Sequence, residues 1–203
     1  MNNALKQLYR EHEGKLSDKW SSYLTELDRL FALYRNRPIR LLETGVQNDG
    51  SLEIWDQYFP NARKIISCDI DQKCVALRYR RVRIAMVTGN ANETNGKAKF
   101  CNMLRPLDII IDDGSHKSSD IVRSFARYFP YLNDNGIYVA EDLHCSDWNN
   151  FEGGLHHPLS AMSFFKRLMD IINHEHWRNS KSRRELVARF CNEFGVAFEN
   201  PLN

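Results

Sequence analysis

The chain has 203 residues, with 28 basic and 26 acidic side chains for a net charge of +2, and it is 42% hydrophobic and 27% charged. That size suits one domain with a sizeable core, the composition excludes a disordered chain, and the near-neutral charge speaks against a dedicated nucleic-acid binder. No apolar run approaches the roughly 20 residues that span a bilayer, and MNNALKQLYREHEG lacks the basic-then-apolar pattern of a signal peptide, so a cytoplasmic location is expected.

Trp20, Leu24, Leu27, Phe31 and Tyr34 recur at three- and four-residue steps, which predicts an amphipathic helix capped by Ser17 or Asp18. Pro38 ends the helical pattern, and residues 39–42 read as a short buried strand. The pattern then alternates. Helices are predicted over 51–59, 72–79 and 119–129, and strands over 64–68, 81–88, 107–111 and 136–140. Five short apolar runs separated by helices predict an α/β fold, a doubly wound and mostly parallel sheet. A loop rich in Trp, His and Gly is expected over 147–158, then helices over 160–172 and 182–194, the second opening on the capping box Ser182 to Glu185. After Glu141 only residues 195–199 have strand character. The five cysteines, Cys68, Cys74, Cys101, Cys145 and Cys191, are odd in number and form no CxxC pair, which predicts reduced, buried thiols.

In an open parallel sheet, ligands bind at the carboxyl ends of the strands, so the residues after each strand are the candidates. The first strand leads into Glu43-Thr-Gly45 and on to Gly50-Ser51, a glycine-flanked turn entering a helix. It is not GxGxxG, and Ser51 stands where a phosphate-binding loop needs Lys. Asp69 ends the second strand at about the distance, some 20 residues, at which an acid accepts both ribose hydroxyls of an adenosine cofactor; capping the next segment is the alternative. Asn90 follows the third strand, where its amide could face an adenine edge or merely form a turn.

The strongest pattern comes last. LDIII runs into Asp112-Asp113-Gly114-Ser115-His116, and GIYVA into Glu141-Asp142-Leu143-His144. Singly, Asp113 could be a cap, Glu141 a salt-bridge partner and His116 a surface residue. Together they place four carboxylates and two histidines at one sheet edge, a costly cluster unless a cation such as Mg²⁺, Ca²⁺ or Mn²⁺ neutralises it.

ETGVQNDGSLEIW (43–55), CDID (68–71), IIDDGSH (110–116) and AEDLH (140–144) together resemble class I S-adenosylmethionine-dependent methyltransferases. Among these the pattern is most similar to the metal-dependent macrolide-sugar (mycinamicin-type) O-methyltransferases and the related cephalosporin hydroxylase family. The resemblance covers residues 38–145, and its most specific part is DDGSH followed by ED at the family's spacing. It implies a Rossmann-like fold and an O-methyltransferase acting on a sugar hydroxyl of a glycoside, nucleotide sugar or surface polysaccharide. Glu43, Gly45, Gly50, Ser51, Asp69, Asn90 and Asp112 would then bind S-adenosylmethionine. Asp113, Glu141 and Asp142 would hold a divalent metal, Mg²⁺ first among them, and His116 would be the general base beside Asp113.

The implied organisation is a single methyltransferase domain: a helical segment over 1–37, a cofactor- and metal-binding core over 38–145, and an acceptor-side loop and helices over 146–203. Two departures stand out. The resembled enzymes have a large additional N-terminal domain, and residues 1–37 would instead cover the active site or pack on a second copy. With so little strand after Glu141, either the sheet lacks an edge strand or a partner chain completes it. His144, Trp148, His156 and His157 fall where an acceptor would sit, although a solvated loop explains His156 and His157 as well. Two other functions stay open: a catechol-like O-methyltransferase, and a non-catalytic cofactor-binding partner of another enzyme.

Overall fold

The computed structural model describes residues 3–45, 50–72, 74, 79, 83–89, 106–176, 178 and 182–198. Asn90, Cys101, most of the expected helix over 72–79 and the start of the strand expected from 81 lie outside them. The chain packs as two units. The first runs to Ile111 and takes in Leu132–Tyr138; the second comprises Asp112–Tyr131 and the chain from Val139 onward.

The first unit opens on a helix the hydrophobic pattern did not reveal, α1 (Ala4–Glu11), whose N-cap Asn3 accepts the Lys6 N–H at 2.7 Å. Helix α2 (Ser21–Phe31) buries Leu24, Leu27 and Phe31 as expected. Neither Ser17 nor Asp18 caps it, because the extended Trp20 is the N-cap and makes no side-chain cap bond, and its indole is 63% exposed. Helix α3 (Gly50–Tyr58) completes an aromatic core in which Phe31, Trp55, Tyr58 and Phe59 meet at centroid distances from 4.8 to 6.3 Å.

The strands are β1 (Arg40–Thr44), β2 (Lys64–Asp69), β3 (Ile84–Thr88), β4 (Leu107–Asp112) and β5 (Leu132–Ala140). They form one five-stranded sheet in the order β3-β2-β1-β4-β5. The strands are parallel, with Leu41 opposite Ile65 and Ile66 opposite Ala85. Successive residues of β1 and β4 are buried, as strands without a solvent-facing side must be. The order reverses between β1 and β4, the switch point at which such sheets bind ligands.

Strand β5 begins at Leu132 rather than at residue 136; Asn-Asp-Asn-Gly has the composition of a turn, which is why the sequence pattern places the start late. What holds this stretch in the sheet is polar. Asp108 accepts both the Arg40 N–H and the Asn133 amide at 2.9 Å, and Tyr34 donates its hydroxyl to the Asn135 carbonyl.

In the second unit, α4 (Ser118–Tyr128) is followed after β5 by short 3-10 turns at Leu143–Asp147 and Asn149–Phe151, then by α5 (Ala161–Ile172) and α6 (Arg183–Phe194). Helix α6 carries the predicted capping box: Glu185 N–H donates to Ser182 Oγ at 3.3 Å, and Ser182 N–H to Glu185 Oε2 at 2.7 Å. Phe164 is fully buried against Phe125, Phe190 and Phe194. The strand character of 195–199 is not realised in its described part. Gly195 takes the left-handed conformation (φ 63°) and Val196 N–H bonds back to Cys191, so these residues close α6 instead. Among the described residues the sheet therefore ends at β5. No helix among them is long and apolar enough to cross a membrane. Cys68, Cys74 and Cys145 are buried free thiols, and Cys191 is half-buried.

Candidate active site

In the first unit, the carboxyl ends of the strands are tied edge to edge. Gly45 N–H donates to the Cys68 carbonyl at 2.9 Å, and Gly89 N–H to the Asp69 carbonyl at 2.8 Å. Gly45 has φ 77°, a conformation only glycine adopts without cost, and this lets the chain leave β1 sharply. Asp69 turns its Oδ1 toward the N–H of Asp71 (2.8 Å), an Asx turn that fixes the side chain just beyond β2.

Glu43 is wholly buried. Its Oε2 accepts Ser51 Oγ at 2.7 Å and Trp55 Nε1 at 3.2 Å, while Lys19 Nζ stands 3.5 Å from Oε1 with its own side chain 2% exposed. Glu43 and Ser51, both expected at the cofactor, are thus bonded to each other and bind β1, α3 and the segment before α2 together. Gly50 has a similar role. A Cβ there would lie 2.2 Å from the Lys15 carbonyl oxygen, and the Gly50 N–H donates to the Leu16 carbonyl at 3.2 Å. The Lys15–Leu16 backbone therefore occupies the space over Gly50, and Glu53 at the same helix start accepts the Lys15 N–H at 3.0 Å. Sequence reasoning missed Lys19, since a lysine before a helix reads as a surface charge.

In the second unit, Glu141 N–H donates to the Asp112 carbonyl at 2.9 Å, which sets the Asp-Asp and Glu-Asp pairs side by side. Asp112 and Glu141 are buried; Asp113 and Asp142 are part-exposed. Asp113, His116 and Asp142 bring one ligand atom each within 4.8 Å of one another. His116 Nε2 lies 3.9 Å from Asp113 Oδ1 and 3.7 Å from Asp142 Oδ2. Glu141, expected as a third metal ligand, is not in that group, and His116, expected as the base, is. Both His116 (φ 57°) and Asp142 (φ 52°) have left-handed backbones, an arrangement seen at few non-glycine residues and concentrated at sites.

Beside this cluster, His144 Nδ1 stands 3.9 Å from Asp142 Oδ1, and its ring meets Trp148 edge to face at 5.2 Å. Two carboxylates and an imidazole converging on one point suit a divalent cation of the oxygen- and nitrogen-liganded kind.

No family model matches the chain. It is 33% identical over 177 residues to the 8-demethyl-8-alpha-L-rhamnosyl tetracenomycin-C 2'-O-methyltransferase of Streptomyces olivaceus, covering 82% of this chain and 46% of that protein. It is 33% identical over 167 residues to the mycinamicin VI 2''-O-methyltransferase of Micromonospora griseorubida, covering 77% of this chain and 41% of that one. Among solved structures, the MycE methyltransferase from the mycinamycin biosynthetic pathway in complex with Mg and SAH matches at TM-score 0.77 and 28% identity, over 90% of this chain and 49% of that one. The chain thus spans less than half the length of these relatives. The motifs, the strand order and these likenesses agree: the chain has the fold of the class I methyltransferases and is homologous to sugar O-methyltransferases.

Proposed function

We propose that this protein is a cytoplasmic S-adenosylmethionine-dependent, divalent-metal-assisted O-methyltransferase acting on a sugar hydroxyl, with its 203 residues forming one methyltransferase domain. The observation that carries the reading is the convergence of Asp113, His116 and Asp142 within 4.8 Å, in a chain homologous to sugar O-methyltransferases. The donor set fits the implied cation: clustered carboxylates repel one another, and a dication converts that repulsion into binding. Asp113 and Asp142 would hold it, with Glu141 a further oxygen donor from the adjoining position. Glu43, Gly45, Gly50, Ser51, Asp69, Asn90 and Asp112 would form and support the cofactor pocket, with Asp69 taking the ribose hydroxyls.

Mg²⁺ would supply acidity to an acceptor hydroxyl, and S-adenosylmethionine an electrophilic methyl. The chain's own task is to align and to move a proton. His116 Nε2 receives the hydroxyl proton as the O–C bond forms and the S–C bond breaks. An imidazole suits this step because one ring nitrogen can accept a proton while the other donates. A second reading rests on the same distances: Nε2 close to both carboxylates makes His116 a third ligand instead of the base.

The test is transfer of labelled methyl from S-adenosylmethionine to a panel of rhamnosides, nucleotide sugars and catechols, with Mg²⁺ and after chelation. Cation-dependent transfer to a sugar is expected, and H116A should lose it while keeping the cation affinity. Loss of cation affinity in H116A would make it a ligand. Transfer indifferent to both chelation and H116A would refute the mechanism, and transfer to catechols alone would refute the sugar.

A further inference from the structure

We propose that Trp148 is the platform on which the acceptor's sugar ring lies, joined to the carboxylate cluster through His144. The inference rests on the sugar-methylation reading and adds the acceptor subsite to it. Trp148 is 52% exposed, so part of its indole is open to a ring placed beside the carboxylate cluster.

The residue is exposed yet held. Its N–H donates to the Cys145 carbonyl at 2.9 Å, and its carbonyl accepts the N–H groups of Phe151 (3.0 Å) and Gly153 (3.1 Å). The indole is flanked by the His144 ring at 5.2 Å and the Phe151 ring at 5.9 Å. The loop closes behind it only because residue 153 is glycine, where a Cβ would lie 2.0 Å from the Ser146 carbonyl oxygen. Such a fixed aromatic binds a ring without first ordering a mobile loop.

Its place beside the cluster gives the platform its meaning. The His144 ring touches the indole on one side and reaches toward Asp142 on the other, with Nδ1 3.9 Å from Oδ1. A pyranose with its C–H face on the indole would keep its rim hydroxyls within reach of an imidazole that can donate or accept. The relatives act on rhamnosyl and mycinamicin acceptors, which is the ring chemistry such a surface recognises.

The test has two parts. The chain has 4 tryptophans, so ¹⁵N-indole spectra resolve them, with W148F assigning the resonance. Titration with methyl α-L-rhamnopyranoside, in the presence of Mg²⁺ and S-adenosylhomocysteine, should move the Trp148 signal saturably. In methyl transfer, W148A should raise the acceptor KM by about tenfold or more with a much smaller fall in kcat, and W148F should recover most of the loss because a flat ring remains. If wild type methylates the sugar while the Trp148 signal stays still, or W148A keeps the wild-type KM, the platform is refuted and methylation stands. If wild type methylates no sugar, the methylation reading fails, and the indole titration alone decides the platform: a saturable shift supports it and a silent spectrum overturns it.

Discussion

Lys19 and Glu43 form a buried ion pair, and removing the cation is the sharpest test of how the first unit is held together. The side chains are 2% and 0% exposed and the charged atoms lie 3.5 Å apart. At an effective dielectric of about 20, two unit charges at that separation attract by roughly 5 kcal/mol. Deleting one partner of a buried pair costs about 3–5 kcal/mol, because the other charge stays buried. K19M leaves Glu43 its Ser51 and Trp55 donors but not the Lys19 charge. Melting should therefore fall by roughly 6–20 °C in a protein of this size. The double variant K19M/E43Q should recover much of the loss, since Gln still accepts both donors and carries no charge. The assay is equilibrium urea unfolding of the four members of the cycle, monitored by circular dichroism. If K19M stays within about 1 kcal/mol of wild type, or E43Q fails to rescue it, the charge pairing is not what holds these segments.

Two further predictions concern pH. Burial, and then its hydrogen bond to Asp28 (3.0 Å), hold the Tyr58 phenol far above its ordinary value. A raised folded-state pKa gives stability that is present below the unfolded value near 10 and is lost as pH climbs through the folded one. Y58F should cost about 1–2 kcal/mol in urea at neutral pH and should flatten the alkaline limb; an unchanged limb would refute the assignment. Glu152 is held below the usual carboxylate range chiefly by hydrogen bonding from the Ser119 side chain, with the Ser119 N–H at 3.1 Å adding to it. Its contribution is present above the unfolded value near 4.3 and lost as pH falls through the folded one, so E152Q should make acid unfolding less steep, read by far-ultraviolet dichroism across that range.

The sheet was legible because buried parallel strands leave dense apolar runs, and KIISC and LDIII have little other use. All five strands were found, β5 with a late start. Its first residues carry turn chemistry and are held by Asp108 and Tyr34, partners far away in sequence that no local pattern reveals. Helix α1 has a single buried residue, Leu5, too little to mark a periodic face. Trp20 shared the spacing of the α2 stripe but sits at the cap, where spacing no longer sets direction. At the site, the types and positions of the acids were plain, since they fall directly after strands. Which of them converge was not. That depends on backbone conformation at single residues, and His116 and Asp142 both turn left-handed. Glu43 shows the same limit: an acid after β1 reads as a ligand contact, and only packing shows Lys19, Ser51 and Trp55 gathered on it.

The left-handed turn at Asp142 (φ 52°, ψ 34°) separates a ligand from a structural residue. Asp and Asn tolerate this conformation because their short polar side chains bond locally, whereas alanine pays on the order of 1 kcal/mol for it. D142N therefore keeps the backbone and removes only the charge, and it also lightens the crowding with Asp113. D142A loses both. If Asp142 serves the cation, D142N should unfold within about 1 kcal/mol of wild type, yet its Mn²⁺ affinity by calorimetry should drop by about tenfold or more. D142A should bind no better and be the less stable of the two. A D142N protein that takes up Mn²⁺ like wild type would show that the carboxylate is there for the fold, and the cluster would then have no claim on a metal.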